Sequence, residues 1–403
     1  MTNPTVDSLF TDAKVNQEAL RRRSMTRWGA NQPDVIPLTA AESDFPAPQV
    51  VIDAITAFLE DGYLPYTPTD GMLELRELVA VVSGTRYGIR AEPDQVVVTA
   101  GTAAAIWIAT QALCQAGDEC IILDPVDLLF GQAVDAAGAR RVYWPVDKVT
   151  GHLDPEQLES LITPRTALIL LCNPHNPLGV SFPSAIMRAI GEIAARYRIP
   201  IVCDEVWNEI VYEPARHVSL ASINTDPALQ VYTLIGPSKT FGLPGLRIGF
   251  IIAPDATTAH RLRATTHRLG ASHSVTPLAQ VATIAALQHG WPWRDALLRH
   301  LRRMRDHCVG RLNSIPGISC RSPDSTYVLF PDISAYGLSS RKFADALLQT
   351  ARVATVPGTA EWFGPGAEGN FRISFATSYS VIDQALDRIE QFDARAARRS
   401  SLT

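Results

Sequence analysis

Seven short apolar runs constrain this chain more than any other feature. They are Gln95–Thr99, Cys120–Leu123, Arg141–Trp144, Ala167–Cys172, Ile199–Cys203, Gln230–Leu234 and Arg247–Ile252. None alternates polar with apolar residues, so each predicts a strand buried on both faces. Helix-length amphipathic segments lie before and between them, at Val50–Glu60, Met72–Tyr87, Thr102–Ala116, Pro155–Leu161 and Ala185–Tyr197. Strands alternating with helices predict an α/β fold, a mainly parallel seven-stranded sheet between helical layers.

The pattern changes after Ser274. A long helical stretch, Pro277 to about Leu312, breaks near Gly290-Trp291-Pro292. A strand at Thr326–Phe330, a helix at Arg341–Ala351, strands at Val353–Val356 and Asn370–Phe375, and a helix at Val381–Ala396 follow. This order predicts a smaller α+β domain. The expected division is a large domain over residues 49–275 and a small domain from residues 1–48 and 276–403.

Composition narrows the function. With 403 residues, 46% hydrophobic and 19% charged, the chain has enough apolar material for a large core. A net charge of −5 argues against a nucleic-acid partner, because phosphate contacts want a basic face. The runs Arg21–Arg23 and Arg302-Arg303 read as solvated helix faces. The six cysteines, at 114, 120, 172, 203, 308 and 320, form no Cys-x-x-Cys pair. Neither a disulfide framework nor a metal site is expected. The N-terminus does not read as a signal peptide and no apolar run reaches membrane-spanning length, so the expected location is cytoplasmic, away from membranes.

Four segments carry chemistry. Val96–Ala103 reads as strand, glycine turn and helix start, which offers free N–H groups at Gly101, Thr102 and Ala103 to an anion. By itself an ordinary βα turn explains it equally well. Asn173-Pro174-His175-Asn176-Pro177-Leu178-Gly179 ends a buried strand and sets amide groups at the sheet's carboxyl edge, where open α/β sheets bind ligands. Asp204-Glu205 closes the next strand, and a carboxylate there needs a partner, structural or functional. Finally, Gly236-Pro237-Ser238-Lys239-Thr240-Phe241-Gly242-Leu243-Pro244-Gly245-Leu246-Arg247-Ile248-Gly249 sets a lysine after a strand, with an arginine eight residues on. A desolvated lysine beside another cation has a lowered pKa and can form a Schiff base.

In this order the segments resemble the fold-type-I pyridoxal phosphate (PLP) enzymes of the class I/II aminotransferase superfamily, from about Ile36 to Ile389. Two further strings match, Tyr66 through Gly71 to Leu75-Arg76, and Asn370-Phe371-Arg372-Ile373-Ser374-Phe375. The resemblance implies an amino acid transformed through an external aldimine and a quinonoid. Lys239 would form the internal aldimine and shuttle the Cα proton. Asp204 would hold the pyridinium nitrogen protonated, and Asn176 would donate to O3′. Arg247, Ser238 and the N–H groups at Thr102 and Ala103 would hold the phosphate. Tyr66 would reach the phosphate of a neighbouring subunit, which implies a homodimer. Arg372, with Asn176, would clamp the substrate's α-carboxylate, near the backbone of Ala41.

Three positions depart from the family. Gly236 replaces a serine, Trp207 replaces the tyrosine that donates to O3′, and Asp127 stands where an aromatic normally stacks on the ring. An indole keeps a donor but has no acid–base capacity. For Asp127 two readings stand. Either Phe130 takes over stacking while Asp127 faces solvent, or Asp127 lies over the cofactor face and reads the substrate. The strings Cys172–Pro177, His217–Ser222, Arg27-Trp28 and Ala41–Phe45 look like the cystathionine β-lyase-type branch, whereas Arg247 is typical of aminotransferases. Transamination is the simplest reading. C–S β-elimination, a specialised decarboxylation, oxidative deamination or cyclisation, and a catalytically weak regulatory protein stay open beside it.

Overall fold

The structure is a computed structural model describing residues 8–224, 226–269 and 275–392. Its central sheet comprises β1 (Val96–Thr99), β2 (Glu119–Asp124), β3 (Arg140–Pro145), β4 (Thr166–Cys172), β5 (Ile201–Asp204), β6 (Val231–Ile235) and β7 (Gly249–Ile252). The spatial order is β1-β7-β6-β5-β4-β2-β3. Only β7 runs antiparallel to its neighbours, pairing with β1 and β6. The seven expected strands are thus present, and their ends move by a few residues at most.

Strands β2, β4, β5 and β6 are buried along most or all of their lengths, as their unbroken apolar runs require. Helices cover both faces, among them α1 (Thr102–Leu113), α2 (Leu128–Ala136) and the short α3 (Pro237–Thr240). Two of the longer helices were not expected from the sequence, α2 and Ala256–Arg268. The first hides its period because it is apolar almost throughout, and the second is rich in threonine, arginine and histidine.

The stretch from Pro277 is two helices, Pro277–His289 and Trp291–Ser314, broken where the sequence placed the break. The expected single strand Val353–Val356 is corrected to two. Val353–Ala354 pairs in parallel with Ile36–Pro37, and then the chain changes partner at Thr355. A second sheet joins β8 (Val328–Leu329), β9 (Val356–Pro357) and β10 (Phe371–Ser374) in the order β9-β10-β8. Trp28, Leu38 and Phe45 share one core with Trp293, Leu297, Phe371 and Leu386, so the N-terminal segment packs on the C-terminal part. The C-terminal helix spans Tyr379–Glu390, and residues 393–396 of the expected helix lie outside the described residues. No helix among the described residues is long and apolar enough to cross a membrane.

Candidate active site

Parallel strands deliver their following loops to one sheet edge. Here the loops after β2, β4, β5 and β6 bring Asp127, Asn176, Asp204 and Lys239 together. The turn after β1 adds Gly101, Thr102 and Ala103, and the turn before β7 adds Arg247. Arg372 arrives from β10 of the second sheet, and Ala41 from the N-terminal segment. All of these, with Ser238 and Trp207, line one cavity of about 350 Å³. Tyr66 does not line it. Its side chain is 92% exposed on the surface of this chain.

Lys239 sits on α3, in the first turn after β6. Its Nζ donates to the Ala41 carbonyl at 2.6 Å and lies 5.1 Å from the centre of the Trp207 ring. Burial, with Arg372 nearby, depresses its pKa to about 8. Asp204 ends β5, and its Oδ1 accepts the Val206 N–H at 3.0 Å. Burial, with the negative charges of Asp127 and Glu205, lifts its pKa to about 7 against the opposing effects of Val206 and Lys239. The adjoining Glu205 is settled differently, between His217 Nε2 at 2.9 Å and Ser219 Oγ at 2.8 Å. Of the two carboxylates at this strand end, only Asp204 lines the cavity, and among the described residues no lysine or arginine pairs with it.

Arg372 donates from Nη1 to Asn176 Oδ1 at 3.1 Å and from Nη2 to the Thr39 carbonyl at 3.2 Å. Its guanidinium lies 5.2 Å from the Phe363 ring centre. Nε is buried without a hydrogen-bond partner, and burial lowers the pKa of the group. A fork held from two sides with donor capacity in hand suits a carboxylate ligand.

Asp127 does not face solvent. It caps α2, with Oδ1 accepting the Leu129 N–H at 3.2 Å, while Oδ2 accepts from Asn176 Nδ2 at 3.0 Å. Oδ2 also stands 3.6 Å from Arg372 Nη1. Phe130 lines the same cavity. Trp207 is buried edge-on against Tyr327, with ring centres 4.6 Å apart. Tyr327 in turn donates to the Ala41 carbonyl at 3.2 Å, the atom that Lys239 uses. Tyr327, Thr39 and the cavity-lining Trp362 were not singled out in the sequence, and no local motif marks them.

The residues fit PLP. The first N–H groups of α1 have no intrahelical partner, and with Ser238 and Arg247 they form a cradle suited to a phosphate. Gly101 opens that turn at φ +96°, and a Cβ on Gly249 would fall 2.7 Å from the Thr102 nitrogen, so β7 can approach the cradle only as glycine. Gly236 is less tightly packed: a Cβ there would meet the Ile248 carbonyl at 3.3 Å and the Thr102 methyl at 3.4 Å, contacts that shifts of a few tenths of an ångström relieve. Asp204 suits a protonated ring nitrogen, and Lys239 suits a carbonyl carbon.

Fold and site together define a PLP-dependent enzyme. The chain belongs to the class I and II aminotransferases, whose family model matches residues 33–389. It is 33% identical over 372 residues to the aspartate aminotransferase of Pyrococcus horikoshii, covering 92% of this chain and 93% of that one. It is 30% identical over 361 residues to cystathionine beta-lyase PatB of Bacillus subtilis, covering 89% and 91%. Among solved structures, an aromatic aminotransferase from Pyrococcus horikoshii superposes with TM-score 0.82 at 30% identity, covering 92% of this chain and 97% of that one. A PLP-bound structure from Clostridium difficile gives 0.83 at 26%, covering 94% and 95%. The chain is accordingly an enzyme of the PLP-dependent aminotransferase type.

Proposed function

We propose that the chain is a cytoplasmic, homodimeric amino-acid aminotransferase, with domains over residues 49–275 and over 1–48 plus 276–403. The observation that carries the residue roles is the buried Lys239, held at the Ala41 carbonyl in the cavity that Asp204 also lines. Bound PLP supplies an electron sink for charge developing at the substrate Cα. Lys239 would hold the cofactor by its carbonyl carbon and, with its depressed pKa, would serve as the base for the substrate's Cα proton. Asp204 keeps the ring nitrogen protonated. Thr102, Ala103, Ser238 and Arg247 would hold the phosphate; the Gly101 N–H, expected to be free, donates instead to the Thr99 carbonyl at 2.8 Å, so Gly101 shapes the turn. Arg372 orients the amino acid by its α-carboxylate, with Asn176 fixed between it and Asp127. Trp207 supplies bulk and a donor but no proton transfer.

Tyr66, exposed on its own chain, would complete a second subunit's phosphate site. A phenol-to-phosphate hydrogen bond is charge-assisted, so Tyr66→Phe is expected to weaken cofactor retention by about ten- to a hundred-fold. A monomer by sedimentation that keeps full cofactor occupancy rejects the shared site.

Similarity to the PatB lyase supports a second reading, C–S β-elimination. One experiment separates the two. The purified protein is mixed with amino acids and cysteine conjugates. Pyridoxamine absorbance with a keto acid marks transamination, whereas pyruvate, ammonia and free thiol mark elimination.

A further inference from the structure

Resting on the aminotransferase reading, we propose that Asp127 selects the substrate by its side chain, admitting amino acids that carry a side-chain amine or guanidinium ahead of dicarboxylic ones. The charges of the cavity lead there. Among the described residues its lining carries three cations, Lys239, Arg247 and Arg372, and two carboxylates, Asp127 and Asp204. In the proposed complex Arg247 answers the phosphate, Asp204 the ring nitrogen, Arg372 the α-carboxylate, and Lys239 the cofactor's carbonyl carbon. Asp127 is then the one charge whose opposite is shared, since its contact with Arg372 is long, at 3.6 Å, and the incoming α-carboxylate competes for it.

The carboxylate is also built to be read. Its cap to Leu129 and its bond from Asn176 fix both oxygens, and a carboxylate has about four acceptor positions, so two remain open. The side chain is 21% exposed and lines the cavity. Trp362 lines the same space, and an aromatic ring there suits a cation. A second carboxylate on the substrate would meet Asp127 with no further lining cation of this chain to answer it. Repulsion between like charges adds to such discrimination.

The test compares the holoenzyme with D127N and D127S, both of which can still cap α2. Calorimetry measures binding of α-methylornithine, α-methylleucine and α-methylaspartate, which lack the Cα hydrogen and are not turned over. In parallel, kcat/KM is measured for ornithine, leucine and aspartate. The wild type is expected to prefer the ornithine pair, and the ornithine-to-leucine ratio is expected to fall about ten- to a hundred-fold in both variants, the loss of one charge-assisted contact. Aspartate is expected to gain relative to leucine. Turnover of leucine with binding ratios unchanged by either variant, or a wild-type preference for the aspartate pair, overturns this proposal alone. If no amino acid is turned over or eliminated and no cofactor is trapped on Lys239, the functional reading falls and takes this one with it.

Discussion

Two buried charge clusters lie a few residues apart and are built on opposite plans. In the first, Arg27 is wholly enclosed and every nitrogen is used. Nε donates to the Pro37 carbonyl at 2.8 Å, Nη1 to the Glu42 carbonyl and to Asp44 Oδ1 at 3.0 and 2.9 Å, and Nη2 to Asp44 Oδ2 at 3.2 Å. Trp28 Nε1 adds a bond to Asp44 Oδ1 at 2.8 Å. In the second, around Lys239, a guanidinium nitrogen of Arg372 is unpaired, Asp204 has no contacting cation, and Lys239 leans on a carbonyl. Burial is expensive for a charge without a partner, and a fold tolerates it only where something else supplies the partner. The closed cluster clamps the Ala41–Asp44 turn, and the open one uses that turn's carbonyl. The first stabilises, and the second waits for ligands.

The largest effect that breaks the contrast is at Lys239. In Lys239→Ala, borohydride reduction followed by peptide mass mapping should find no cofactor attached at position 239. Turnover should fall by on the order of 10³ or more, the scale for a group acting as nucleophile and base. A fully active variant ends the functional reading. Next comes Asp44→Ala, which strands Arg27 without its counter-charge. Removing one partner of a buried pair costs about 3–5 kcal/mol, so urea denaturation should show a loss of that size. A loss within about 0.5 kcal/mol, the range of surface substitutions, would mean that the closed cluster is not structural.

How much of this was legible in the sequence follows the same line. Strands such as Thr166–Cys172 were readable because burial on both faces leaves an unbroken apolar run. Lys239, Asp204, Asn176 and Arg247 were readable because each sits in a local string tied to the end of a strand. What escaped depended on distant partners. Asp127 meets Asn176 across 49 residues and Arg372 across 245, and neither neighbour leaves a mark on the local pattern. Tyr327 and Trp362 come from the C-terminal part and reach the cavity only through tertiary packing. The helix Leu128–Ala136 was hidden by its own apolarity, since a period cannot be seen where nearly every position is apolar.

Asp204 gives the smallest effect and the sharpest comparison, because its burial gives it a pH signature; burial also raises the pKa of Asp44, but there Arg27 opposes it. Its folded pKa, about 7, lies above the ordinary carboxylate value. Between about pH 4 and pH 7 the folded chain therefore keeps a proton that the unfolded chain has released, and stability falls as pH rises through this window. Lys239 acts oppositely at higher pH. From about pH 8 upward the folded chain has lost a proton that the unfolded one retains to its ordinary value near 10.5, so stability recovers there. Asp204→Asn keeps the shape and the acceptor for the Val206 N–H but cannot ionise. In cofactor-free protein it is expected to equal the wild type near pH 4 and to exceed it by about 1–3 kcal/mol near pH 7.5, an upper range discounted from the full shift. Urea denaturation at the two pH values measures the difference. Asp44→Asn, tested in the same way, should lose stability at pH 7.5 because Arg27 loses its counter-charge. If both substitutions change stability in the same direction, the distinction between the closed and the open cluster does not hold.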